Sequence, residues 1–214
     1  MKQFASGVQV AGSPKRPLPK TEILWGSEDG GVTRFPLEIT QLVERKYAAD
    51  PAPLSAFGRA VSAALDRVWI MDEYFFIPHG SKGESIQTKI AARLQRMLDW
   101  MPHSLEASDI RILTKQHDEI TDDTIAPLRM RVNEINRTQS RRAVTCAVEV
   151  RYHLTRNFHY VHDRFAIVDD ELWHFGGTVG GFHALVSAAS RGWDAAEHGA
   201  DKFFEMAWKA GDNK

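Results

Sequence analysis

In the stretch YVHDRFAIVDDELWHFGG, residues 160–177, the imidazole of His162 and the guanidinium of Arg164 stand two positions apart at the head of an apolar run. Alternate side chains of a β-strand project from one face, so His162, Arg164, Ala166 and Val168 share a face, and Asp163, Phe165 and Ile167 take the other. At a rise near 3.3 Å per residue, the first two lie about 7 Å apart at Cα. Such a pair suits a phosphate: the arginine fork binds two oxygens, and the histidine attacks phosphorus or carries a proton. In FGGTVGG, which follows, Gly176 and Gly177 let backbone amides approach an anion with no Cβ in the way, and Thr178 adds a hydroxyl donor. The plainer reading is the polar rim of a buried strand.

Other groups carry weaker signals. Asp72 and Glu73 follow the apolar run VWIM, at a strand end where α/β sheets place ligand-contacting groups. Ordinary solvation is the commoner role there, and both carboxylates repel phosphate unless a cation intervenes. Arg141, Arg142, Arg151 and Arg156, with Arg137, concentrate basic charge before the motif, interleaved with Tyr152, Phe158 and Tyr160. This reads as a polyanion path with base stacking, or equally as a solvated helix end beside packed aromatics. His159 and His162 raise a metal reading, but no third ligand stands at a recognisable spacing, so neither metal nor cofactor is expected. His174 reads as a satisfied histidine of the core or sheet rim, and His183 as a candidate for the pocket wall.

The elements that must hold these groups follow from hydrophobic periodicity. TEILWG (residues 21–26) is strand-like, and residues 37–50 and 53–67 carry apolar positions at helical spacing. VWIMDEYFFI (68–77) is an apolar run suited to a strand covered on both faces. Residues 84–101 repeat Ile86, Ile90, Leu94, Met97, Leu98 and Met101 along one helical stripe, DIRILT (109–114) is a strand, and residues 118–139 form a helix that Pro127 starts or kinks. Strands are expected over 146–154, 164–169 and 171–177, and helices over 182–190 and 200–208. Alternating strands and helices predict an α/β fold with a mixed β-sheet flanked by helices. No linker divides the chain, so one domain over 21–214 is expected behind a flexible arm of residues 1–20.

With 214 residues, 43% of them hydrophobic, the chain can bury a core without staples, and its single cysteine, Cys146, cannot form an internal disulfide. A reducing cytoplasm is expected. The formal net charge of -1 gives no general affinity for polyanions, so any such binding needs a local patch. The opening residues lack the apolar core of a secretion signal, and no apolar run reaches about 18 residues, so no integral membrane association is expected.

His162, Arg164, Asp169, Gly176, Gly177 and Thr178, at their spacing in HDRFAIVDDELWHFGGT, resemble the single motif of the phospholipase D superfamily. The likeness is to bacterial members that read His-Asp-Arg where the usual form has His-x-Lys. VWIMDEYFF, the helix after it and DIRILT resemble the strand, helix and strand that precede the motif there, so the likeness spans roughly residues 55–190. Two departures stand out: Arg164 replaces the family's lysine, and Val179 occupies a position usually filled by asparagine. The resemblance implies a phospholipase D-like half-domain with His162 as nucleophile or acid/base and Arg164 as phosphate clamp. It implies that Asp169 orients its surroundings by accepting hydrogen bonds, with Gly176, Gly177 and Thr178 supporting the phosphate. A single motif implies a homodimer in which each chain contributes one His162. The expected activity is a metal-independent phosphodiesterase or nuclease, with nucleic acid favoured over lipid and defence against mobile DNA as the associated role. The other expectation is a catalytically inactive module that binds nucleic acid, acidic lipid head groups or a protein partner in a larger complex.

Overall fold

Residues 16–25, 35–77, 84–140, 142–180 and 186–211 are described by the structure, a computed structural model. In chain order the elements are β1 (Glu22–Leu24), α1 (Ile39–Tyr47), α2 (Ala52–Ser62), β2 (Arg67–Met71), α3 (Ile86–Trp100), β3 (Asp109–Leu113) and α4 (Asp122–Thr138). They continue with β4 (Ala147–Arg151), α5 (Leu154–Phe158), β5 (Phe165–Val168), β6 (Glu171–Phe175), β7 (Ala189–Asp194) and α6 (Ala200–Lys209). The strands form one sheet in the order β1-β7-β6-β5-β2-β3-β4. β2, β3 and β4 run parallel, and β5, β6, β7 and β1 are joined antiparallel. The expected α/β fold with a mixed sheet and flanking helices is what the chain adopts. Among the described residues, no helix is long and apolar enough to cross a membrane.

Strand alternation divides the core in two. Val68 and Ile70, Ile110 and Ile112, and Ala166 and Val168 face a large cluster with Leu54 and Phe57 of α2, Ile90 and Leu94 of α3 and Leu128 of α4. Trp69 and Met71, with Phe165 and Ile167, face the opposite way, onto Phe204, Ala207 and Trp208 of α6. Covering on both faces explains why β2 and β5 read as unbroken apolar runs. Phe57 is the hub of the larger cluster, edge-on to Trp100, Trp173 and Phe175 at centroid distances of 5.3, 5.4 and 5.2 Å.

Four element assignments are corrected by the structure. The strand expected over 68–77 ends at Met71, because Asp72 accepts a hydrogen bond from the Tyr74 amide at 2.9 Å and turns the chain out of the sheet. The strand expected over 146–154 stops at Arg151, and Leu154 instead opens the short helix α5. Of the helix expected over 182–190, residues 182–185 lie outside the described residues, and Ala189–Asp194 is a strand that β1 and β6 pair on either side. Gly192 sits there at φ 93, and a Cβ on it would stand 2.8 Å from the backbone of Lys20 and Thr21. Pro127 lies inside α4, which Thr121 caps by accepting from the Thr124 amide, so it does not start the helix.

Asp169, in left-handed backbone at φ 55, follows β5 at the edge of the sheet where β2 begins. Its carboxylate accepts from the amides of Leu65, Asp66 and Arg67, and its carbonyl accepts from Arg67 Nε at 2.7 Å. A carboxylate that collects three amides fixes the turn into β2. Replacing Asp169 by alanine strands those donors and puts a Cβ-bearing, non-bonding residue at positive φ, at a cost of about 2–4 kcal/mol in urea unfolding.

Candidate functional site

The parallel strands β2, β3 and β4 end at the same edge of the sheet where β5 begins and β6 ends, as their registers require. Loops that follow parallel strands are where α/β sheets gather ligand-contacting groups. At this edge stand Asp72 and Glu73 after β2, Thr114 after β3, His162 and Arg164 before β5, and Gly176–Val179 after β6.

His162 is 77% exposed, and its Nδ1 lies 2.9 Å from Glu73 Oε1. The distance is that of an ion pair, while the angle falls outside hydrogen-bond geometry. With Nδ1 turned to the carboxylate, Nε2 lies on the side of the ring away from Glu73. Glu73 is anchored in turn, since its carbonyl accepts from Thr114 Oγ1 at 3.3 Å.

Arg164 is mostly buried. Its Nε is 3.8 Å from Asp72 Oδ1, and its guanidinium carbon lies 5.2 Å from the Tyr74 ring centroid. That Nε and the Thr178 hydroxyl are buried polar atoms with no hydrogen-bond partner among the described residues. Asp72, fully buried, accepts from the Tyr74 amide at 2.9 Å and the Val179 amide at 2.8 Å. Its carboxylate therefore ties the turn after β2 to the turn after β6. Burial pushes this carboxyl above its ordinary value, against the two amide donors and the charges of Arg164 and Arg93.

That direction has a measurable consequence. An unfolded aspartate titrates near about 4, whereas folded Asp72 keeps its proton to higher pH. Its contribution to stability is fully present below the unfolded value and is lost as pH rises through the folded one. Asp72→Asn cannot titrate. The stability of the wild type relative to this variant should therefore fall as pH climbs from about 4 toward neutrality, as urea unfolding at a series of pH values would record.

Beneath the site, Arg93 of α3 is fully buried. Its Nε donates to the Phe75 carbonyl at 2.9 Å and its Nη2 to the Val179 carbonyl, and its guanidinium lies 4.3 Å from the Phe75 ring centroid. Burial holds its pKa down to about 10, with Asp72 opposing the shift. Val179 is wholly buried in the larger cluster and serves through its backbone, between Asp72 and Arg93. Gly180 follows at φ 85, where a Cβ would collide with the Trp100 indole.

The expected site residues are thus only partly brought together. His162, Arg164, Gly177 and Thr178 share the edge, although both cationic residues precede β5 formally. The Gly176 amide is bonded to the Ala188 carbonyl at 3.1 Å and does not face an anion, while the Gly177 and Thr178 amides take no partner among the described residues. Asp169 accepts its hydrogen bonds at the far end of β5, about 16 Å from Arg164 along a strand of that length. It belongs to the fold and does not touch the site.

Among the described arginines, Arg142 stands away from this edge, while Arg151 ends β4 at it. Arg141 lies outside the described residues. Arg142 donates to the Leu105 and Glu106 carbonyls, before β3 and therefore at the opposite edge of the sheet. Arg151 donates to Glu149 at 2.7 Å and to the Trp208 carbonyl at 2.8 Å, and Arg156 is exposed on α5. His174 pairs with Asp163 at 3.4 Å, His153 meets the Ala207 carbonyl at 3.0 Å, and His159 stacks edge-on with Tyr160. His183 lies outside the described residues.

Sequence reading left Glu73 as a solvated strand end and passed over Arg93. The second had a signal. Arg93 is seven positions after Ile86 and three after Ile90, which puts a charge on the apolar stripe of α3.

No family model matches the chain, and no curated protein matches it. Among solved structures it is similar to the archaeal chromatin protein TrmBL2, reported to show a novel mode of DNA binding, at 9% identity and a TM-score of 0.38. That match covers 92% of this chain and 54% of TrmBL2, so the chain spans about half of that protein's length. It is also similar to NucT from Helicobacter pylori, at 12% identity and a TM-score of 0.40, over 73% of this chain and 87% of NucT.

Proposed function

We propose that this chain is a phospholipase D-like protein that processes phosphodiesters of nucleic acid without a metal, acting as a homodimer. The observation that carries the reading is the exposed His162, with Nδ1 against Glu73 and Nε2 on the ring's other side, beside an arginine whose buried Nε lacks a hydrogen-bond partner among the described residues. His162 Nε2 forms the bond to phosphorus as the P–O bond to the leaving oxygen breaks, and the second copy's His162 gives that oxygen its proton. Water then attacks the phosphohistidine, the second copy's His162 takes the water's proton, and the P–N bond breaks to restore the free imidazole. Arg164 and the Gly177 and Thr178 amides hold the non-bridging oxygens, whose growing charge is what needs stabilising.

The test uses the wild-type chain, at a concentration where it is dimeric, in chelator-treated buffer. Bis(p-nitrophenyl) phosphate and end-labelled single- and double-stranded DNA are the substrates, with an acid quench and mass spectrometry to find a phosphoryl adduct. Turnover together with an adduct on His162 supports the reading. No cleavage of any of the three, by a protein shown to be dimeric, overturns it.

A second reading, a non-catalytic phosphate-binding module on the same site, has its own support. The Val179 side chain offers no donor where the family has asparagine, and the charged neighbour of Arg164 is the buried Asp72. This reading is the outcome if binding survives where no cleavage is found.

A further inference from the structure

Beside the His162 edge, the loops after β2 and β3 and the first turn of α3 enclose a cavity of about 430 Å³. Its size is within the range of roughly 300–1,000 Å³ typical of small-molecule sites. Phe76 and Ile120, both buried, and the half-buried Ile86 give it an apolar floor. Lys89, Lys115 and Glu84 stand on its rim, and Glu73, the carboxylate against His162, is part of its wall.

The cavity is thus joined to the phosphate edge. One residue, Glu73, belongs to both, and one ring, Tyr74, carries both Arg164 at 5.2 Å and Lys115 at 5.7 Å from its centroid. Neither lysine forms an ion pair among the described residues, so both are available to an anion. A ligand that fits must present a flat apolar body to the floor, polar edges to a lysine and a carboxylate, and a phosphate on the side of Arg164. An unstacked nucleoside within a single strand has all three. Base pairs of a duplex cannot enter a pocket of this size, and the two chains of a phospholipid exceed it.

We propose that this cavity is the subsite for one splayed-out base of single-stranded nucleic acid, with Lys115 on the adjoining phosphate. The proposal rests on the phosphodiester reading of His162 and Arg164 and adds to it the strandedness of the substrate and the place of its base.

The experiment measures the affinity of the full chain for a fluorescently labelled deoxyadenosine octamer, the same octamer with abasic sites, and the octamer in a duplex. The wild type should bind the single strand at least about tenfold more tightly than either of the others. Ile86→Glu and Lys115→Glu should each lose about tenfold on the octamer, and Ile86→Glu should leave abasic binding unchanged. Glutamate at the first position of α3 suits the helix dipole, and Lys115 is exposed, so both variants are expected to fold.

Equal affinity for the abasic strand, unchanged octamer binding in both variants, or displacement of the octamer by phosphatidylglycerol vesicles would overturn the proposal. Arg164→Ala separates it from the reading beneath it. If octamer binding survives that change but remains sensitive to Ile86→Glu, the phosphate reading fails and the base subsite stands. If binding depends on Arg164 and ignores the base, the subsite fails alone.

Discussion

Replacing His162 with asparagine should lower phosphodiester cleavage by at least about a thousandfold, with affinity for a single-stranded oligonucleotide within about threefold of wild type. The expected loss is large because, in the proposed mechanism, one atom, Nε2, both makes the bond to phosphorus and, in the second copy, protonates the leaving oxygen. A dimer of the variant lacks both functions. Asparagine keeps a polar side chain facing Glu73 and cannot form the covalent intermediate. Because the side chain is 77% exposed, its loss should move stability by no more than about 0.5 kcal/mol, so a drop in turnover would not be a folding effect. Mixing the variant with a chain inactivated by Arg164→Ala makes the test sharper. Heterodimers in which only one chain supplies His162 should not regain cleavage, because the nucleophile and the acid must come from different copies. Rapid-quench turnover and fluorescence anisotropy on the same preparations measure the two quantities. Turnover that persists in His162→Asn would move the chemistry to another residue.

How much of this could be read in the amino-acid order depends on the range of the interaction that decides each feature. β2, β3 and β5 are legible because Val68–Met71 and Phe165–Val168 are short apolar runs, Ile110–Leu113 is one broken only by Arg111, and the burial of all three follows from their own composition. β7 is not: ASRGWD has neither the run nor the alternation of a strand, and it becomes one through hydrogen bonds to β1 and β6, which the local sequence does not encode. The site divides in the same way. The spacing of His162 and Arg164 is local, and it points to one edge of the sheet. The partners that define their chemistry, Glu73 and Asp72, come from a turn some ninety residues earlier in the chain, where a carboxylate after a strand looks like any solvated end. Asp169 shows the converse. Its position in the motif is plain from sequence, but its work is done on the amides of Leu65–Arg67, a hundred residues away and at the wrong edge of the sheet for chemistry.

Substituting methionine for Arg93 should cost about 3–5 kcal/mol, because it removes a buried guanidinium and leaves its buried neighbours uncompensated. Two effects act together. Asp72, 0% exposed, loses one of the two cations that draw its carboxyl back down, and the carbonyls of Phe75 and Val179 lose their donors inside the core. Methionine has about the volume to fill the slot against Phe75 and Trp100, so little of the cost would come from a cavity. With a urea dependence of about 3 kcal/mol per molar, the unfolding midpoint should drop by roughly 1–1.7 M. Asp72→Asn made on top of Arg93→Met removes the stranded charge, so the double variant should be more stable than the sum of the single losses by about 1–3 kcal/mol. Strict additivity would show that Arg93 serves only as a donor to two carbonyls and that the buried charges are not coupled. Coupling would instead make the Asp72–Arg93 pair the element that holds the turns after β2 and β6 together, and with them the distance between His162 and the Gly177–Thr178 amides.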